Sequence, residues 1–192
     1  ACAAAIAAAR CASSRAAAIA TTAADAWRVV VELSGDAPTV ERDLARLRDE
    51  YGASETDCAA VEQICALQLE VPAPLGLRFR LGALPSRLES TLLELRAGGA
   101  SLLAYPRLQL VYAGFSLGDS PHDADVERIF RAVESAALAA GGSHVCEAAP
   151  SSVKAGRDMF GDLGASGAIA RALKRRFDPT GVLNPGRFAG RN

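Results

Sequence analysis

Two arginines stand two residues apart in Leu77-Arg78-Phe79-Arg80-Leu81. Strict alternation puts Arg78 and Arg80 on one side of an extended segment and Leu77, Phe79 and Leu81 on the other, the period of a half-buried strand. Neighbouring guanidinium forks suit a carboxylate, which each can grip through paired N–H donors. Arg107 and Gln109 share the same spacing and would extend that basic face if their segment pairs nearby. Such arginines can equally solvate the face or pair with acids of another domain. A second group closes the chain. Asp178-Pro179-Thr180-Gly181 and Asn184-Pro185-Gly186 form two tight turns in series, with Pro fixing φ and Gly free to take positive φ. The turns read either as an ordinary capped helix end or as a segment shaped for docking. His122 and His144 are not spaced as a metal pair, so no metal site is expected. No Ser/His/Asp triad or carboxylate pair is evident.

The elements that must position these groups can be read from pattern. Trp27–Leu33 is rich in β-branched residues and reads as a strand. Asp36 can cap the next helix, in which Val40, Leu44 and Leu47 recur at helical spacing before Tyr51-Gly52. Val61–Val71 is apolar and strand-like, ending at Pro72, and Leu77–Leu81 is the alternating strand. Ser86 and Glu89 have capping-box spacing ahead of a helix with Leu88, Leu92, Leu93 and Leu95, stopped by Gly98-Gly99. Ser101–Phe115 reads as one or two extended segments interrupted by Pro106. The order strand, helix, strand, strand, helix, strand predicts an α+β fold: a ferredoxin-like antiparallel sheet with helices on one face. A helix then runs from about Ser120 to Ala140, a short strand spans Ser143–Glu147, and a last helix spans about Ser166–Phe177 before Pro179. The last helix belongs to a small helical C-terminal subdomain. Residues 1–24, rich in Ala, read as a helical turn or a frayed leader. The expected organisation is a leader over 1–24, a sheet domain over 25–150 and a helical segment over 151–192.

Composition narrows the function classes. The chain has 192 residues, half of them apolar, enough to bury a sizeable core. Its 21 basic and 22 acidic residues leave a formal charge of −1, with no field to draw in nucleic acid or an anionic membrane. Only Lys154 and Lys174 are lysines; this Arg bias, with the abundance of Ala and Gly, fits a GC-rich genome and weakens Arg content as a sign of function. Five scattered cysteines, none spaced C-x-x-C, argue against a disulfide framework, structural zinc and thioredoxin-like chemistry. A reducing cytoplasm is the expected location. No apolar run reaches the roughly 20 residues of a membrane helix. The chain opens on Ala, which suggests further sequence upstream.

The C-terminal residues resemble the end of FAD-linked oxidases of the vanillyl-alcohol-oxidase type. In that family a last helix leads into F-D-P-x-x-x-L-N-P-G-K/R-F. Phe177-Asp178-Pro179 and Leu183-Asn184-Pro185-Gly186-Arg187-Phe188 match it position by position. Upstream, Gly141-Gly142 with a strand and Ala149-Pro150, and Asp158-Met159-Phe160-Gly161, are similar to stretches of glycolate oxidase FAD-binding subunits. Val29–Leu33, Ser34-Gly35 and Pro85-Ser86 sit where the family's cap has a strand, a turn and a "Leu-Pro-Ser". The resemblance implies that this chain is the cap and C-terminal portion of an FAD-dependent oxidoreductase acting on a 2-hydroxy acid such as glycolate. The main FAD-binding domain would be missing, supplied upstream or by a partner subunit. It implies that Asn184, Pro185 and Gly186 contact the cofactor, and that Arg78, Arg80 and Arg107 meet the substrate carboxylate. Related dehydrogenases carry "H-x-G-D-G-N-x-H" where Tyr105–Phe115 lies here without a His, which points to the branch without a metal. The alternative is a stand-alone ferredoxin-like module that binds a partner and catalyses nothing, because fold alone does not fix function.

Overall fold

The computed structural model describes residues 2–10, 14–21, 26–55, 76–118, 122–155, 157–161 and 164–183. Six strands alternate with helices along these residues: α1 Cys2–Ala8, β1 Ser14–Thr21, β2 Trp27–Leu33, α2 Ala37–Tyr51, β3 Gly76–Gly82, α3 Leu88–Ala97, β4 Ser101–Tyr105, β5 Leu110–Ser116, α4 Asp123–Ala139, β6 His144–Ala148, α5 Ser151–Lys154 and α6 Ala165–Phe177. The strands form one sheet in the order β2-β1-β4-β5-β3-β6. Every neighbouring pair is antiparallel. The fold is α+β, as the element order predicts. The expected strand over Val61–Val71 lies outside the described residues.

Pattern dictates most of these elements. In α2 the Asp36 carboxylate accepts the Thr39 N–H at 3.1 Å, Pro38 sits in the first turn, and Gly52 ends the helix at φ 64°. The alternation of Leu77–Leu81 holds: Leu77, Phe79 and Leu81 are fully buried. At Pro106 the extended run over 101–115 breaks into a β4–β5 hairpin, with Gln109 at φ 55° in its turn.

Two expectations are corrected. The expected helical turn is present as α1, but residues 14–21 do not belong to a leader: they form β1, which lies between β2 and β4 inside the sheet. Ala is a poor strand former in isolation, but on a packed sheet contacts outweigh propensity. Ile19 and Ala20 are almost fully buried there. The Ser86/Glu89 capping box also fails to form. The chain turns over Pro85–Arg87, and the Ser90 and Thr91 hydroxyls donate to the Arg87 carbonyl at 2.9 and 2.8 Å.

Helices α1, α3 and α4 cover one face. Ile6, Leu88, Leu92, Leu95, Val126, Ile129 and Val133 join Ile19, Phe79, Leu102, Val111 and Phe115 in a single apolar core. Phe79 is its centre, edge-on to Phe115 at 6.0 Å and to Phe130 of α4 at 4.9 Å. Burying such a ring stabilises the fold by roughly 1.5–3 kcal/mol, and aromatic edge contacts add to that.

A short strap, residues 157–161, runs back along the outer edge of β6. The Cys146 N–H donates to Met159 O at 2.7 Å and the Gly161 N–H to His144 O at 3.1 Å. Val145 and Phe160 form an antiparallel bridge. The strap is pinned at both ends. Arg157 bonds Glu127 of α4 at 2.5 Å and stacks over Phe130 at 4.9 Å. At the other end Gly161 lies against the buried His144 ring, where a Cβ would come within 2.5 Å of it.

Backbone closeness also fixes Gly142, just before β6. A Cβ there would sit 2.2 Å from the Gly82 carbonyl oxygen, and the Gly82 N–H bonds Ser143 O at 3.0 Å. Gly142→Ala should therefore destabilise the chain by about 2 kcal/mol or more, whereas Gly82→Ala, with nothing within 4 Å of its new Cβ, should cost far less. Urea unfolding midpoints compare the two.

Burial holds His144 below the ordinary imidazole range, partly offset by Glu134 and Asp158. The folded chain thus favours the neutral ring, while the unfolded chain takes up the proton more readily. Stability from this site is present above pH 6.5, the unfolded value, and is lost as pH falls toward the folded one. The expected result is a drop in unfolding free energy on acidification through pH ~6, flattened in His144→Gln. Unfolding curves across that range measure it.

Candidate functional site

The face opposite the helical layer carries Arg78 and Arg80. Cross-strand pairing sets Ala20, Leu103, Tyr112, Arg80 and Val145 in one row across β1, β4, β5, β3 and β6. Ala18, Ala20 and Leu103 are buried there, with Val30, Tyr105 and Tyr112 packed against them. The two tyrosine rings meet edge to face at 6.3 Å. The result is a flat apolar floor beside a charged end.

A bulge builds the charged end. Arg78 pairs with Ala148 but Phe79 with Cys146, so Glu147 is the extra residue of β6. An extra residue re-aims its own side chain. Here Glu147 is delivered between the arginines: Arg80 Nε bonds Oε1 at 2.7 Å and Arg78 Nε lies 3.6 Å from Oε2. Two guanidiniums share one carboxylate. Arg78 is mostly covered, whereas Arg80 is 44 % exposed. Alternation puts Glu147 with Val145 on this face of β6, but which strand β6 lies beside is not written in its own residues.

Arg107 does not join them. It lies exposed in the β4–β5 turn, and the hairpin's last pair, Tyr105 with Leu110, aligns with Gly82 at the far end of β3 from Arg78. Pro106 starts the turn early, so Arg107 and Gln109 never share a strand face.

The second candidate is the turn after α6. The Asp178 carboxylate accepts the Val182 N–H at 2.9 Å and the Leu183 N–H at 3.0 Å. Lys174, one helical turn back, pairs with the same carboxylate and donates to the Leu183 carbonyl at 2.5 Å. Those donors, Lys174 first, hold the Asp178 carboxyl below the usual carboxylate range. The turn before Asn184 is thus built by the chain itself. Asn184, Pro185 and Gly186 lie outside the described residues. Beside the turn, Ile169, Leu173, Phe177, Val182 and Leu183 are all exposed, between 53 % and 76 %. Of α6 only Gly167 is buried. Contiguous exposed apolar side chains mark an interaction surface.

Comparison with family models, curated proteins and solved structures returns no match to this chain.

Other groups offer less chemistry. The Cys146 thiol is pushed up to about 12 by burial, which keeps it protonated and inert. A cleft of about 500 Å³ opens between the starts of α4 and α5, but its Glu127 and Arg157 are bonded to each other. Among the described residues no cluster of His, Cys, Asp or Glu is placed to hold a metal, and no helix is long and apolar enough to cross a membrane.

Asp178→Asn removes the charge that gathers Lys174, Val182 and Leu183. The expected outcome is faster amide exchange at Val182 and Leu183 with the sheet amides unchanged. Hydrogen exchange followed residue by residue reads it.

Proposed function

We propose that this chain is the cap and C-terminal portion of an FAD-dependent oxidoreductase acting on a 2-hydroxy acid, with the dinucleotide gripped by a domain or partner subunit outside these residues. The observation that carries the reading is the C-terminal segment. Phe177-Asp178-Pro179 and Leu183 to Phe188 follow the family pattern, and Asp178 pre-forms the turn that leads into Asn184. The exposed stripe of Ile169, Leu173 and Phe177 supports it as well, since a helix with that face needs a partner to cover it.

The chain's own residues then divide the work. Tyr105 and Tyr112, half-buried against Ala18, Ala20 and Leu103, offer an apolar contact to a flat aromatic ring. Arg78 and Arg80 orient the substrate carboxylate, and Glu147 holds their side chains in place. Asn184 offers a polar contact to the cofactor, while Pro185 and Gly186 keep its turn rigid and allow close backbone approach. A bound FAD supplies the hydride acceptor; the protein supplies orientation and charge. The five cysteines, none paired in C-x-x-C spacing, suit a reducing cytoplasm.

One observation favours the second reading, a binding module without catalysis: Glu147 already satisfies much of the guanidinium pair. The two readings part on one experiment. The chain is expressed together with the coding sequence upstream of it, purified, and its visible spectrum recorded with and without added FAD. A retained flavin band supports the oxidoreductase reading. An upstream sequence with no flavin domain and no retained band sinks it. In a flavin-bearing protein, Arg80→Ala should raise KM for a hydroxy acid about tenfold, with a smaller effect on a substrate lacking the carboxylate.

A further inference from the structure

The two edges of the sheet are treated differently. The outer edge of β6 is covered by the strap through the Val145–Phe160 bridge and the bonds at Cys146 and Gly161. The outer edge of β2 is paired with no strand among the described residues. Edge strands expose a row of N–H and C=O groups ready to pair with another chain, and soluble proteins blunt them with Pro, Lys or a bulge. Trp27-Arg28-Val29-Val30-Val31-Glu32-Leu33 has neither Pro, Lys nor Gly, and the irregularity in the β1–β2 pairing falls on the β1 side, between Ser14 and Ala16.

The strand is also complementary to itself. Turned antiparallel about Val30, it sets Arg28 opposite Glu32 of the second copy, and Glu32 opposite Arg28. Val30 meets Val30, Val29 meets Val31, and Trp27 meets Leu33. Both charged pairs fall on the second face of the sheet, since Arg28, Val30 and Glu32 alternate with the core-facing residues. Arg28 and Glu32 are exposed. The core-facing side is already firm: Trp27, Val29 and Val31 pack on the main core, Leu33 and Val31 lie with Ala8 and Leu47, and Arg96 caps the Trp27 ring at 4.9 Å. Opposite charges facing each other across strands are favourable and like charges are not. A parallel or one-residue-shifted pairing loses the match. We infer that β2 is a homodimer interface, where a second copy of this chain adds its own β2 antiparallel about Val30 and joins the two sheets into one. An isologous two-fold contact of this kind closes on itself, so the assembly stops at two. The inference does not depend on the flavin reading.

Sedimentation equilibrium on the full chain tests it, with circular dichroism to confirm that each variant keeps its fold. Wild type should give a concentration-dependent mass rising to that of two chains. Arg28→Glu and Glu32→Arg should each weaken dimerisation about tenfold or more, since both contacts across the two-fold become repulsive. The double variant R28E/E32R should recover the wild-type mass. Val30→Cys, whose thiol would face its own copy, should cross-link on oxidation, with peptide mapping placing the bridge between the two residues 30. A single-chain mass at every concentration overturns the proposal. So does a dimer indifferent to Arg28→Glu, or a double variant that stays weak and a Val30→Cys that forms no bridge to itself.

Discussion

Most of the architecture depends on one row of side chains. Leu77, Phe79 and Leu81 project from β3 into the helical layer and are fully buried. Phe79 touches β5 through Phe115, α4 through Phe130 and β6 through His144. Those contacts fix the height of α4 above the sheet, and α4 in turn holds Arg157 and the strap. Because a strand alternates, burying these three residues commits Arg78 and Arg80 to the opposite face. Core packing and presentation of the basic pair are one decision made twice along the same five residues.

The strap links that decision to the C-terminal segment. It leaves α5, crosses the edge of β6 and leads to α6, whose side chains are otherwise mostly exposed. The same short stretch closes one edge of the sheet. His144 and Gly161 meet at its end with no room for a further carbon atom. Position along the chain is thus converted into position in space at two points, the Arg157 pairing and the Gly161 contact. Beyond α6, the Asp178 turn sets the path of the backbone toward Asn184.

Much of this is legible in the amino-acid sequence. Alternation at Leu77–Leu81, the Asp36 cap, the Gly98-Gly99 stop and the last helix up to Phe177 are local signals, and local signals survive folding. Three features are not legible. Ala-rich β1 reads as helix or leader because its strand state rests on neighbours distant in sequence. Glu147 shares a face with Val145 by alternation, but it meets the arginines only because β6 pairs with β3, a neighbour distant in sequence. Arg107 is misplaced by any reading that continues extended structure past Pro106, where the chain in fact reverses through Gln109. On the site itself, pattern finds Arg78 and Arg80 but not the carboxylate they share. The Lys174–Asp178 pair is in plain view at helical spacing, yet its reach to the Val182 and Leu183 amides depends on the turn between them.

The alanines of β1 have a bearing on how this protein could change over time. Ala18 and Ala20 lie on the second face between Val30 of one neighbour and Leu103 of the other, while Ala17 and Ile19 face the core. Along one strand, then, alternate positions answer to different demands. Enlarging the inward residues would collide with a filled interior. The outward ones are closed in as well, since Ala18 and Ala20 are buried among Val30, Leu103, Tyr105 and Tyr112. Small side chains on both sides of β1 thus let two separate layers close over one strand, and growth on either side would be felt by a different set of neighbours.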